Sequence, residues 1–153
     1  MQIHFYLHPA RKMRELHYAA CLLAEKAYRR NLSVYFLCES SQHAKQLDTL
    51  LWNYAEDSFL PHQLYSPDSD SHANSIPLQI GHKTISTCPQ AQLLINMSHC
   101  VPTFYGQFNC IIELISNEPK QRQAGREKYR HYQREGCELL TQEVGIAPEL
   151  PNT

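Results

Sequence analysis

The run "LSVYFLCE" (Leu32–Glu39) limits the fold of this chain more than any other stretch. It is apolar almost without interruption, so it lacks the in–out alternation of a strand with one wet face. Such a short, unbroken run describes a strand covered on both sides. The neighbouring segments show what would cover it. "QIHFYL" (Gln2–Leu7) is rich in β-formers and is stopped by Pro9. "RKMRELHYAACLLAEKAYRRN" (Arg11–Asn31) carries Leu16, Ala19, Ala20, Leu23 and Ala27 at helical spacing. "SSQHAKQLDTLLWNY" (Ser40–Tyr54) opens on a serine cap and continues with Ala44, Leu47, Leu50, Leu51 and Tyr54 on one face. Strand, helix, strand, helix in succession predicts an α/β fold: a layered, Rossmann-like, mostly parallel sheet with helices on both faces.

The second half continues the pattern less regularly. "SPDSDSHANSIP" (66–77) reads as a loop, "QLLINM" (Gln92–Met97) and "CIIELI" (Cys110–Ile115) as buried strands, and "VPTFYGQF" as a short helix. A last helix follows "SNEP", with Ser116 or Asn117 as its cap, Pro119 in its first turn and Gly136 at its stop. Residues 144–153 read as a loose tail, which leaves one expected domain over 1–143. A chain of 153 residues can bury an ordinary core without disulfides or metal.

Charge and cofactor motifs exclude several functions. Lys and Arg number 14 against 15 Asp and Glu, so there is no general basic excess for wrapping nucleic acid. The loop after the first strand is "HPARK", with neither G-x-G-x-x-G nor G-x-x-x-x-G-K-[ST], and no nucleotide cofactor is expected. The nine histidines form no H-E-x-x-H pattern, and no metal site is expected. The six cysteines form no C-x-x-C pair and read as buried thiols of a reducing compartment. With no long apolar run and no signal-peptide layout, the expected location is cytoplasmic, away from membranes.

Two features carry candidate chemistry. In "RQAGREKYRHYQREG" (Arg122–Gly136), Arg122, Arg126, Tyr129, Arg130 and Gln133 fall within about a quarter to a third of the helix circumference. Guanidinium forks bind carboxylates in a bidentate way, and Ile115 at the end of the preceding strand could add apolar surface. The pocket so formed would suit a peptide C-terminus with a free carboxylate and a bulky apolar last residue. A solvated basic face explains the same residues. In "LLWNYAEDSFLPHQL" (Leu50–Leu64), Trp52 stands near a helix end, and Phe59 and Leu60 precede Pro61, which confines the segment to an edge strand or a turn. Its large apolar residues are either core or offered to a partner.

Taken together, "FYL" at Phe5–Leu7, "LDTLLW…SFLPHQL" at Leu47–Leu64, "QLLINM…CIIELI" at Gln92–Ile115 and "REKYRHYQREG" at Arg126–Gly136 resemble the chi subunit family of bacterial DNA polymerase III. The resemblance implies a Rossmann-like fold without nucleotide and a non-catalytic accessory subunit of the replicative holoenzyme. It implies two partners. The C-terminal tail of single-stranded-DNA-binding protein would be held by Arg122, Arg126, Tyr129 and Arg130, with Ile115 at the apolar side. The psi subunit of the clamp loader would be met by Phe59, Leu60 and Pro61, with Trp52 beside them. A helicase is a further candidate at the psi surface, and nucleic acid would be reached only indirectly. The stretch "SPDSDSHANSIP" departs from the family pattern. Two readings from other classes remain open at this point: a small α/β enzyme with a Cys–His pair, and a direct single-stranded DNA binder stacking bases on its tyrosines.

Overall fold

The strand β2 (Val34–Cys38) is buried at every position, as its unbroken apolar run requires. It stands third in a parallel sheet. The structure, a computed structural model, describes residues 2–54, 60–66, 76–85 and 87–151. Around β2 the chain supplies β1 (Gln2–Leu7), α1 (Met13–Arg29), α2 (Ser41–Tyr54), β3 (His62–Leu64), β4 (Leu78–His82), β5 (Leu93–Asn96), a 3-10 turn (Tyr105–Gln107), β6 (Cys110–Ile115), α3 (Pro119–Arg134) and β7 (Glu138–Glu143). The strand order is β3-β4-β2-β5-β6-β1-β7, and every pairing is parallel.

Helices cover both faces. On one face, α1 and α2 pack Leu16, Leu23, Leu47 and Leu51 onto Tyr6, Phe36, Ile80 and Ile112. On the other, α3 and the region of the 3-10 turn pack Tyr132, Phe104 and Phe108 onto Phe5, Tyr35 and Leu94. Among the described residues, no helix is long and apolar enough to cross a membrane.

Two helix ends are closed by the same device. After α1, Asn31 adopts φ 59°. Its N–H then donates to Tyr28 O at 3.1 Å, and the Leu32 N–H donates to Ala27 O at 2.9 Å. After α3, Gly136 adopts φ 80°, and the N–H groups of Gly136 and Cys137 donate to Gln133 O and Tyr132 O, both at 3.1 Å. Both are Schellman closures. The start of α3 differs from expectation. Its cap is Glu118, whose carboxylate accepts from the N–H groups of Lys120 and Gln121. Ser116 and Asn117 are instead held by N–H bonds to Gln121 Oε1 and Ala10 O, at 3.1 and 2.6 Å.

Other expectations are also corrected. β4 and β7 were not read from the sequence. β4 is short, and its Gly81 lies under the Tyr35 phenol, leaving no room for a Cβ. β7 is exposed almost throughout, so it carries no burial pattern. Pairing with β1 in register Leu7↔Glu143 makes it a strand. The segment after β7 is not loose as far as residue 151. Leu150 is buried, Tyr6 Oη donates to Glu149 O at 2.7 Å, and Lys26 Nζ donates to Pro148 O at 2.8 Å. Its anchors are single residues without periodicity, which sequence patterns do not register. Of the cysteines, only Cys21 and Cys38 are buried, and Cys100 is exposed. The loop expected at 66–77 lies mostly outside the described residues.

Candidate protein-binding site

The register of the sheet brings the first site together. Leu7 of β1 lies beside Ile115 of β6, and β7 follows on the outer side of β1. From Leu7 the chain turns to α1 on one face, and from Ile115 it turns to α3 on the other. Crevices for ligands form where connections diverge like this at the carboxyl ends of parallel strands. Arg122, in the first turns of α3, spans that point. Its Nε donates to Ser116 O at 2.9 Å and its Nη2 to His8 O at 3.3 Å. The guanidinium is thereby fixed in orientation.

Beside it lies a cleft of about 190 Å³ lined by Phe5, Leu7, Ile115, Arg122, Gly125, Arg126, Tyr129 and Thr141. This is smaller than the roughly 300–1,000 Å³ pockets that enclose a drug-sized ligand, and suits a single side chain. Ile115 is buried in the core and closes the apolar side. Tyr129 packs edge-on against Phe5, with ring centres 5.4 Å apart. Arg126 is exposed at the rim. Among the described residues, none of Arg122, Arg126 and Arg130 forms an ion pair with a carboxylate. The structure thus brings together Ile115, Arg122, Arg126 and Tyr129. Arg130 is exposed on the same side of the helix but does not line the cleft.

Sequence reasoning missed Phe5, Leu7, Gly125 and Thr141, because their convergence depends on strand register. It also missed what holds the helix in place. The inner face of α3 is Gln121, Gly125, Lys128 and Tyr132, which is hardly apolar. Lys128 Nζ reaches Glu113 Oε1 at 2.6 Å and Ser98 O at 2.7 Å. Tyr132 Oη and Asn96 Nδ2 donate to Glu113 Oε2 at 2.6 and 2.9 Å. Glu113 is wholly buried, and burial together with that carboxylate pushes the Tyr132 phenol upward. A buried charge pair persists only when its remaining hydrogen-bonding capacity is met, as here. The spacing of Lys128 from Tyr132 was visible in the sequence, but the partner on β6 was not.

The second region is less uniform. Trp52 is 54% exposed, on the outer side of α2, with its ring 4.5 Å from that of His62. Pro61 is half-buried. Leu60 is 4% exposed and belongs to the core, which corrects the expectation that it faces a partner. It packs with Leu47 and Leu51 of α2 just ahead of β3, and the buried His62 that follows holds the turn, its Nδ1 2.6 Å from Leu60 O. Phe59 lies outside the described residues.

Burial pushes the thiols of Cys21 and Cys38 up to about 12 and that of Cys88 up to about 11. It also raises Cys110. A thiolate nucleophile requires the opposite shift. Among the described residues, no three His, Cys, Asp or Glu side chains gather as a metal set would.

Known proteins resemble this chain over most of its length. The chain is 33% identical over 138 residues to the DNA polymerase III subunit chi of Pseudomonas aeruginosa, covering 90% of this chain and 93% of that protein. It is 29% identical over 126 residues to the subunit chi of Haemophilus influenzae, with 82% and 85% covered. For the Escherichia coli subunit chi the identity is 26% over 121 residues, with 79% and 80% covered. Among solved structures, T4 UvsW shares the fold with a TM-score of 0.66 at 10% identity, over 95% of this chain and 41% of that one. Residues 1–140 match the family described as DNA polymerase III chi subunit, HolC. The chain belongs to the DNA polymerase III chi subunit family, and its role is that of an accessory subunit in DNA replication.

Proposed function

We propose that this chain is a non-catalytic adaptor of the polymerase III holoenzyme, binding the C-terminal tail of single-stranded-DNA-binding protein at the α3 cleft and the psi subunit of the clamp loader at the α2–β3 edge. The observation that carries the reading is an apolar cleft of single-side-chain size with Arg122 and Arg126, both without carboxylate partners among the described residues, at its margin. The tail's last apolar side chain enters against Ile115 and Tyr129. Its terminal carboxylate meets the guanidinium groups, and its acidic residues continue along Arg126 and Arg130. Charge-assisted, bidentate contacts of this kind are stronger than neutral hydrogen bonds. At the other surface, Trp52 and Pro61, with Phe59, provide apolar anchors for psi.

Titration of a synthetic tail peptide by calorimetry or fluorescence anisotropy tests the first contact. Arg126→Ala weakens binding by about 1–3 kcal/mol, because charge-assisted hydrogen bonds are lost. An amidated C-terminus weakens it too, and affinity falls as salt rises through the screening range. Equal affinities of wild type and Arg126→Ala return the helix to a solvated basic face. For the second contact, Trp52→Ala and Phe59→Ala each cost about 2–4 kcal/mol of psi binding, as central aromatic anchors do. Unchanged psi affinity in both variants refutes that surface.

A further inference from the structure

α3 carries a glycine in its interior, at Gly125, where glycine is less favourable than alanine. Contact with the sheet explains it. A Cβ built at position 125 would stand 2.6 Å from Cδ1 of Ile115 and 3.6 Å from its Cγ1 and Cγ2. The longer distances are ordinary van der Waals contacts, so the collision involves a single methyl group. Ile115 and Gly125 also line the same cleft. One of two things must yield to an added Cβ. The helix is pinned to the sheet by the bonds of Lys128 and Tyr132 to Glu113, one and two turns further on. The methyl is the free end of a side chain. Phe5, Leu7 and Tyr129 pack in the same cluster as Ile115, and the open space beside them is the cleft.

Resting on the peptide-binding reading above, we propose that Gly125 and Ile115 together set the depth of the cleft and so determine which apolar last residue it accepts. Without a Cβ at 125, Cδ1 of Ile115 lies against the α3 backbone and leaves the full depth to a large side chain. A Cβ there drives the methyl into the space the ligand needs. Volume gained at 125 is therefore compensated by volume removed at 115: alanine at 125 is compatible with valine at 115, which lacks the colliding methyl.

The test uses the full chain and two acidic synthetic peptides with free carboxylates, identical except for a last residue of Phe or Val. Gly125→Ala weakens the Phe-ending peptide about tenfold or more, in the range of one extra methylene in an apolar pocket, and the Val-ending peptide much less. Adding Ile115→Val to Gly125→Ala restores the Phe-ending peptide to within about threefold of wild type, a non-additivity expected only of groups in contact. A merely structural effect of the alanine would weaken both peptides alike. The proposal is overturned if wild type binds the Phe-ending peptide in an Arg126-dependent way and Gly125→Ala binds it equally well. It is also overturned if Gly125→Ala fails to fold, since the helix rather than the methyl has then given way. If wild type binds neither peptide, the peptide-binding reading itself fails, and the proposal with it.

Discussion

Helices α1 and α3 lie on opposite faces of the sheet, and they are fastened by opposite means. α1 turns Leu16, Ala19, Ala20, Leu23, Ala24 and Ala27 inward, small and apolar side chains that seat the helix closely. α3 turns Gln121, Gly125, Lys128 and Tyr132 inward and is held by hydrogen bonds to a buried carboxylate. Apolar packing seals a surface because it works through contact over the whole area. A polar network holds at a few points and can leave a gap between them. In this protein the gap beside α3 is the cleft under Arg122 and Arg126. A helix can thus be rigidly placed without burying all the apolar surface of the sheet beneath it.

The largest expected effect breaks the polar fastening. Lys128→Ala leaves Glu113 buried and unpaired, and costs about 3–5 kcal/mol of stability by chemical denaturation. Replacing Lys128 and Glu113 together by apolar residues of similar volume costs much less, since no orphaned charge remains. If the single variant is as stable as wild type, Lys128 does not fasten the helix. On the apolar side, Leu23→Ala costs about 2–5 kcal/mol through lost burial and a residual cavity. Unlike the tail affinity, that loss is unaffected by salt.

α1 also buries His17, whose Nε2 has no hydrogen-bond partner among the described residues. Burial, reinforced by His43, lowers His17 to about 4. The folded state therefore binds this proton less readily than the unfolded state, where the pKa is near 6.5. Its contribution is complete above about pH 6.5 and is lost as pH falls towards 4. Unfolding free energy should drop by about 2–3 kcal/mol over that window, and His17→Phe should remove much of the drop. A variant with an unchanged pH profile would assign the effect to other groups. The smallest effect compares the two helix ends. Gly136→Ala places a Cβ at φ 80° and costs about 1 kcal/mol, whereas Asn31→Gly at φ 59° is neutral or slightly stabilising. Equal thermal shifts for the two variants would show that the closures do not depend on left-handed backbone.

Much of this was legible in the sequence because it depends on local periodicity. The unbroken run at Val34–Cys38 required cover on both faces, and the spacing of Leu16, Ala20, Leu23 and Ala27 gave α1 its buried side. The arc from Arg122 to Arg130 placed the guanidinium groups on one side of α3, since helical angles are fixed by sequence separation alone. The tertiary structure decided what those groups stand beside. Ile115, Leu7 and Thr141 come from three strands, and strand register, which is set by the packing of the whole sheet, made them walls of one cleft. Burial of Lys128 depended on Glu113 of β6, and the place of Gly125 depended on one methyl group of Ile115. β7 became a strand only because the edge of β1 was open to it, and Leu60 became core through contact with the α2 leucines. Periodicity reports which side of an element faces away from water. Which element it faces is set by contacts between residues far apart in the chain, and only the folded molecule supplies those.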